Sequence, residues 1–385
     1  MKKVFFVIPL LGGGGAERVM LNILRHIDRN KFEPGLILFE KKGELLGDLP
    51  LDVNVMVLRN EKKNPIWHLF YTAWVPFARS LAKLIKTERP QAVVSFMWYT
   101  NLIALTARSL SKSKCRIAVS ERYGLLISHE GWLIELLRRQ VIRFFYPKAN
   151  LIIVNAKEMG IQLRKMFNIS VNKIAVIYNP VDLKKINQLC IKDAHHLWYQ
   201  EQIPIITAIG RLTLQKGFTY LLRAVHILLS EGIRCRLVIL GRGPERENLE
   251  KLSAELGISS HVEFLGFQQN PYKFLSRSTV FVLSSLYEGF PNVLLEAMAL
   301  GIPSVATRCP TGPDEIITEG VDGILVPPAD EKAIADAIKK LLLDEDLRKR
   351  LSEAGKRRIQ DFAVEKIVKQ YEDAIESVCA VSAER

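Results

Sequence analysis

Ser285-Leu286-Tyr287-Glu288-Gly289-Phe290-Pro291-Asn292-Val293-Leu294-Leu295-Glu296-Ala297-Met298-Ala299-Leu300-Gly301 decides how the chain is read. The apolar run Val280-Phe281-Val282-Leu283 precedes it, Gly289 and Pro291 punctuate a turn, and Val293 to Leu300 is apolar at helical spacing. That sequence is a strand, a tight loop and a helix N-terminus. A helix start carries unpaired backbone N–H groups and positive dipole, which suits phosphate oxygens. The amides of Asn292, Val293 and Leu294 are the candidates. Glu288 stands before that anion site and Glu296 about one turn inside the helix, so two carboxylates flank whatever the phosphates carry. A solvated loop glutamate and a helix-pairing glutamate would have the same spacing, and the two acids alone leave both readings open.

The same strand–glycine–helix grammar repeats along the chain. Lys3 to Leu10 reads as a buried strand, Gly12 to Gly15 as a loop that lets backbone approach a ligand, and Ala16 to His26 as a helix. Strands are expected at 35–39, 54–58, 92–96, 115–120 and 151–154, then at 174–178, 205–209, 237–240, 262–267 and 323–327. Such βα alternation implies parallel sheets covered on both faces. A chain of 385 residues fits two domains rather than one core. Asn179-Pro180-Val181-Asp182 reads as the hinge, and the stretch from Asp330 to Ile375 as charged amphipathic helices.

Several of these stretches together resemble the signature of retaining family 4 glycosyltransferases, enzymes of GT-B architecture that use nucleotide sugars. They are the run from Glu288 to Gly301, Gly14-Gly15-Ala16-Glu17-Arg18, Gly210-Arg211-Leu212 with Lys216-Gly217, Gly241-Arg242-Gly243-Pro244 and the hinge. The resemblance implies two Rossmann-like doubly wound α/β domains facing across a cleft: residues 1–180 for the acceptor and 181–361 for the nucleotide sugar. Residues 362–385 would form a C-terminal helix that packs back on the first domain. It further implies that Arg211 and Lys216 neutralise the donor diphosphate, that Glu288 holds hydroxyls of the transferred sugar, and that Glu296 holds the ribose. Gly14 and Gly15 would face the diphosphate, the turn at Gly241 would line the donor site, and backbone near Phe267 would hold the base. Relatives place a histidine or asparagine near Val119 to Gly124, where this chain has Glu121 and Arg122 and no histidine before His129. Glu121 could assist the acceptor hydroxyl and Arg122 bind an acceptor phosphate, or either could form a structural ion pair.

Charge and composition bear on partners. Residues 1–180 hold 28 Lys and Arg against 13 Asp and Glu, while residues 181–385 hold 26 against 28, so all the net positive charge lies in the first half. The asymmetry suggests an anionic partner of that half, a membrane surface or a nucleic acid, with a diffuse solvated basic surface as the other reading. The segments 66–86 and 132–148 mix Trp and Phe with cations, as helices in a lipid interface do. A core face backed by a solvated basic face would have the same composition. No window approaches the 18 uncharged apolar residues of a membrane span. Met1-Lys2-Lys3 with the apolar run after it imitates a signal peptide, but Pro9 ends the run early, and it reads as a first strand. The cysteines, Cys115, Cys190, Cys235, Cys309 and Cys379, are odd in number and unclustered, which predicts reduced thiols in a cytosolic chain rather than disulfides or zinc.

The chemistry expected is departure of a sugar from a diphosphate through an oxocarbenium-like state, with positive charge at the departing phosphates. Arg211, Lys216 and the helix amides would supply that charge, and no catalytic metal or cofactor is expected. A lipid-linked saccharide is the expected acceptor, at the cytoplasmic membrane face. Two other classes remain as alternatives: a GT-B sugar phosphorylase or nucleotide-sugar epimerase, and a basic nucleic-acid-binding protein, whose recognised motifs the chain lacks.

Overall fold

The computed structural model describes residues 1–58, 74–122, 124, 132–194 and 196–380, Trp132 by its backbone alone. It divides into two compact units, Met1–Pro180 together with the chain from Val364 onward, and Val181–Ala363. The first boundary falls inside the Asn-Pro hinge stretch. The second lies two residues beyond the 361/362 position expected from the sequence.

The first unit is built on seven strands: β1 (Lys2–Ile8), β2 (Phe32–Leu38), β3 (Asn54–Val57), β4 (Ala92–Phe96), β5 (Arg116–Glu121), β6 (Leu151–Val154) and β7 (Ile174–Val176). All pair in parallel, in the order β3-β2-β1-β4-β5-β6-β7. Its helices are α1 (Gly15–His26), α2 (Trp74–Glu88), α3 (Trp98–Ser111), α4 (Trp132–Phe145) and α5 (Lys157–Phe167). β2 begins three residues earlier than expected and includes Pro34. That proline pairs with Val4 on one side and precedes the β3 pairing, which starts at Gly35 and Asn54, so its missing N–H breaks no bond to β3.

The second unit has six parallel strands: β8 (Ile205–Ile209), β9 (Arg236–Leu240), β10 (Val262–Gly266), β11 (Val280–Leu283), β12 (Ser304–Thr307) and β13 (Ile324–Val326). Their order is β10-β9-β8-β11-β12-β13. The helices are α6 (Leu183–Cys190), α7 (Phe218–Ser230), α8 (Arg246–Glu255), α9 (Tyr272–Leu275), α10 (Asn292–Ala299), α11 (Pro313–Ile316), α12 (Glu331–Leu343) and α13 (Glu345–Ile359). The last helix, α14 (Val364–Ala380), belongs to the first unit. Val364, Ile367, Val368, Tyr371, Ile375 and Val378 join its core beside α1 and the β1–β4 strands.

Both sheets therefore have the doubly wound order, and in each the strand order reverses at one place, β1/β4 and β8/β11. Ligands of open α/β sheets bind at the carboxyl ends of the strands beside such a reversal. The glycine loop after β1 and the loops after β8 and β11 occupy those positions.

The two aromatic–basic segments differ in the structure. α2 buries its apolar stripe of Phe77, Ala78, Leu81, Ala82 and Ile85, which is a core face; the part of that segment at 66–73 lies outside the described residues. α4 leaves four large apolar residues in water.

Candidate active site

In the second unit, the loops after β8 and β11 are laced together by their backbones. Leu286 N–H donates to Gln215 O (2.8 Å), Gln215 Nε2 donates to Tyr287 O (2.9 Å), and the Ser284 hydroxyl donates to Lys216 O (2.8 Å). Gly217 makes the approach possible. It lies in the left-handed region at φ 60°, and a Cβ there would fall 2.1 Å from Ser284 O. Gly241 does the same between β8 and β9: φ is 146°, and a Cβ would lie 1.8 Å from Gly210 O. These glycines let three strand ends converge.

The result is a cation and a carboxylate in contact. Lys216 Nζ meets Glu288 Oε1 at 2.5 Å, and the Ser285 hydroxyl donates to the same oxygen at 2.7 Å. Both bonds fall on Oε1; among the described residues Oε2 carries none. Thr311 donates its hydroxyl to the Glu288 carbonyl and Thr307 donates to that of Ser285, so the loop is pinned by its backbone as well. Glu288 is 8% exposed, enough for a ligand to reach the open oxygen. The neighbouring Cys309 is buried, and burial first, then the Glu288 charge, pushes its thiol up to about 12.

α10 starts directly after this loop. Its N-cap residue is Pro291, which has no side-chain cap to offer. Leu294 N–H donates to Pro291 O at 3.2 Å, so of the three expected anion donors this one is committed within the first turn. Glu296 is buried in the second turn of α10 and accepts from the Tyr272 hydroxyl at 3.2 Å. Arg211 is exposed on the loop after β8. Phe267 follows β10 with the Arg242 guanidinium 5.0 Å from its ring centroid, so Gly241, Arg242 and Phe267 form one rim. Arg211, Lys216, Gly241, Phe267, Glu288, Asn292, Val293 and Glu296 thus all belong to the strand-end loops of the second unit and the first two turns of α10. Tyr272, Ser285 and Thr311 are roles that spacing did not reveal: Tyr272 and Thr311 reach the site from other elements, and the Ser285 contact depends on the turn of its own loop.

The chain's Asp-x-Asp run, Asp344-Glu345-Asp346, serves the start of α13. Asp344 accepts from Leu347 N–H (2.8 Å) as its cap, and Glu345 pairs with Lys349 (2.8 Å).

In the first unit, Gly14 caps α1 and Gly15 opens it, with Arg18 N–H donating to Gly14 O (3.1 Å). The Glu17 carboxylate lies against Gly14: a Cβ there would be 2.4 Å from Glu17 Oε2. In this conformation a side-chain carboxylate lies at that helix N-terminus. Met97, after β4 at the strand-order reversal, is a non-glycine residue at φ 76°. Tyr123 and His129 lie outside the described residues.

Glu121, the last residue of β5, and Arg122, which follows it, are both enclosed. Glu121 is 0% exposed: Oε2 accepts from the Tyr146 hydroxyl (2.6 Å), and Oε1 accepts from Arg122 N–H (3.3 Å) and Arg138 Nη2 (3.4 Å). Of the readings open for Glu121, the geometry realises the structural ion pair; buried there, its carboxylate has no exposed oxygen for an acceptor hydroxyl. Arg122 lies between aromatic rings, 4.5 Å from the Phe96 centroid and 5.9 Å from that of Tyr371. Its Nη1 donates to Asn179 Oδ1 (2.7 Å) and its Nη2 to the Tyr371 hydroxyl. Arg122 thereby ties β5 to α14 and to the hinge asparagine, and two of its nitrogens are committed there rather than to an acceptor phosphate.

Paired doubly wound sheets with this loop chemistry are the architecture of GT-B glycosyltransferases. Sucrose-phosphate synthase of Thermosynechococcus elongatus superposes with a TM-score of 0.83 at 20% identity, covering 99% of this chain and all of the other. Anabaena HepE, solved in complex with UDP-glucose, gives 0.81 at 19% identity over 98% of this chain and all of its own. The family models for Glycosyltransferase Family 4 and for Glycosyl transferases group 1 match residues 13–185 and 196–358. The N-acetylgalactosamine-N,N'-diacetylbacillosaminyl-diphospho-undecaprenol 4-alpha-N-acetylgalactosaminyltransferase of Campylobacter jejuni is 31% identical over 372 residues, 96% of this chain and 98% of its own length. The chain belongs to the family 4 glycosyltransferases and is a transferase enzyme of that class.

Proposed function

We propose that this glycosyltransferase moves a hexose or N-acetylhexosamine from a nucleotide sugar, a UDP-sugar foremost, to a lipid-linked saccharide. The transfer retains anomeric configuration, needs no catalytic metal, and takes place at the cytoplasmic face of a membrane in glycan or polysaccharide assembly. The observation that carries this reading is the Lys216–Glu288 pair at the β8/β11 reversal, beside the start of α10. As the bond from the anomeric carbon to the diphosphate breaks, negative charge grows on the departing oxygens. Lys216, Arg211 and the amides of Asn292 and Val293 stabilise it. Glu288 Oε2 accepts from hydroxyls of the transferred sugar, its other oxygen being fixed by Ser285 and Lys216. Glu296 takes the ribose hydroxyls. The UDP preference leans on HepE, the lipid-linked acceptor on the Campylobacter relative named for a diphospho-undecaprenol substrate, and retention on the family signature. Among the described residues no helix is long and apolar enough to cross a membrane.

The test is binding and hydrolysis across UDP-, GDP- and ADP-sugars, with chelator and without added metal, for the wild type and Glu296→Gln. One nucleotide class should bind and turn over in chelator, and the substitution should weaken it. Failure of every donor, or activity only with inorganic phosphate, would sink the reading.

A further inference from the structure

Lys216 and Glu288 are brought together by loops that are themselves fixed. Lys216 N–H donates to Thr213 O (3.0 Å), its carbonyl accepts from the Ser284 hydroxyl (2.8 Å), and its stem lies across Gly210, where an added Cβ would stand 3.2 Å from three of its carbons. Glu288 is held at its carbonyl by Thr311 and at Oε1 by Ser285. The two side chains, 14% and 8% exposed, meet at 2.5 Å, and the pair is neutral as a whole. Its field is not zero nearby. At Cys309, burial first and then the Glu288 charge raise the thiol, and Lys216 lowers it least.

A diphosphate that takes Lys216 as its cation therefore meets Glu288 as well. An ammonium has three donors and Glu288 takes one, so Lys216 can hold both anions, but its charge is then shared between them. The anion differs before and after transfer. In the donor the terminal phosphate is esterified by the sugar. Transfer breaks the bond between the anomeric carbon and the bridging oxygen and leaves its electron pair on the diphosphate. The carbon bonds to the acceptor oxygen, and the acceptor's proton passes to water. The freed terminal phosphate is a monoester whose second proton leaves at about pH 6, so at neutral pH it carries up to about one unit more negative charge than the ester. A lone lysine would hold the freed form more tightly. Beside a buried carboxylate the added charge is repelled where water screens it poorly, while the ester gains the hydroxyl contact at Oε2.

We infer that the Glu288 charge makes the site prefer the glycosylated diphosphate to the freed one, so that Glu288 is a specificity determinant against the spent nucleotide as well as a partner of the sugar. The inference rests on the proposed function in taking Lys216 as the cation of the diphosphate. Its consequence is release of the product that would otherwise occupy the site.

The experiment is isothermal titration of the full chain, wild type and Glu288→Gln, at about pH 8, where the freed phosphate is fully ionised. The probes are UDP, UDP methyl-esterified on its terminal phosphate, UDP-glucose and UDP-N-acetylgalactosamine, with the corresponding GDP and ADP compounds in parallel. The methyl ester has the donor's charge without its hydroxyls, and the wild type should bind it at least as tightly as UDP. Glu288→Gln should bind UDP about tenfold more tightly than the wild type does and prefer it to the methyl ester, while binding the nucleotide sugar more weakly. A loosened loop would weaken both ligands, so the opposite shifts separate charge from structure. A wild type that prefers the free diphosphate to its methyl ester overturns the inference, and that result stands whether or not the variant folds. So does unchanged or weaker diphosphate binding by a variant whose melting point matches the wild type, and so does an equal gain for the free and the glycosylated form. The expected binding pattern without sugar transfer to any acceptor breaks the transferase reading alone. Sugar transfer by a wild type that prefers the free diphosphate breaks this inference alone, and binding of no nucleotide breaks both.

Discussion

Glu288 and Glu121 invite a direct comparison. Each follows or ends a strand near its carboxyl end, each is more than nine-tenths buried, and each has a basic partner and a hydroxyl donor. The bonds to Glu288 gather on one oxygen and leave the other open. Those to Glu121 occupy both oxygens and close the carboxylate on every side. A buried carboxylate with an open oxygen is set to receive a ligand hydroxyl, whereas one bonded at both oxygens holds the fold. The difference lies in how the bonds are shared out, not in burial or partner type.

The sharpest way to break this comparison is to delete the closed carboxylate. Glu121→Ala takes from buried Arg138 one of its two acids, leaving Glu135 at 3.6 Å, and takes from the Tyr146 hydroxyl its acceptor, so a loss of about 3 kcal/mol is expected from urea unfolding. Replacing the pair by apolar residues closer to its volume, Glu121→Leu with Arg138→Met, should lose less than Glu121→Ala alone, since it removes the buried charge and leaves a smaller cavity. A Glu121 variant of unchanged stability that has lost activity would place Glu121 with Glu288. The open carboxylate should behave in the opposite way. Glu288→Gln keeps the loop and the Ser285 contact but cannot neutralise Lys216 or hold a sugar hydroxyl as firmly. kcat/KM for the donor should fall by about 100-fold, with a melting point close to the wild type.

Each carboxylate also has a neighbouring acid that registers it. Burial and then Glu121 push the Tyr146 phenol well above its usual range, and burial and then Glu288 push the Cys309 thiol up to about 12. Both folded values lie above the unfolded ones, so the stability they carry is full below the unfolded pKa and is lost as pH rises toward the folded one. For Cys309 the window runs from 9.0 to about 12. Unfolding free energy should decline across it, and Cys309→Ala should decline less steeply by about 1.4 kcal/mol per pH unit. An identical slope in the variant would mean that the thiol ionises as freely in the fold as outside it.

The sequence showed where strands end and helices begin, because glycine and proline mark those points and the apolar runs between them are short and buried. The strands at 92–96, 151–154, 205–209 and 280–283 coincide with their expected bounds. It also named the second-unit loops, through a family resemblance rather than through spacing: Lys216 and Glu288 are 72 residues apart, and no periodicity joins them. Two things were not legible. A carboxylate at a strand end reads the same whether its oxygens are open or closed, since Tyr146 and Arg138 reach Glu121 from other elements. The segments at 66–86 and 132–148 also read alike, and only the packing of α2 into the core and of α4 beside Glu121 separates them.

Glu296 is the carboxylate that can fall on either side of the comparison, and Tyr272 is the means of placing it. It is buried on α10 and accepts from the Tyr272 hydroxyl at 3.2 Å, a contact from the four-residue α9 that aims the carboxylate. Tyr272→Phe removes that donor and keeps the ring, so packing should change little. If Glu296 holds the ribose, it holds it equally in the ground state and the transition state, because the ribose takes no part in bond breaking. A looser carboxylate should then raise the donor KM by about fivefold, roughly 1 kcal/mol, and leave kcat nearly unchanged. A variant that instead lost stability with KM intact would put Glu296 beside Glu121, as a residue bonded for the fold. One that lost kcat with KM intact would move it toward the reacting sugar, where Glu288 stands.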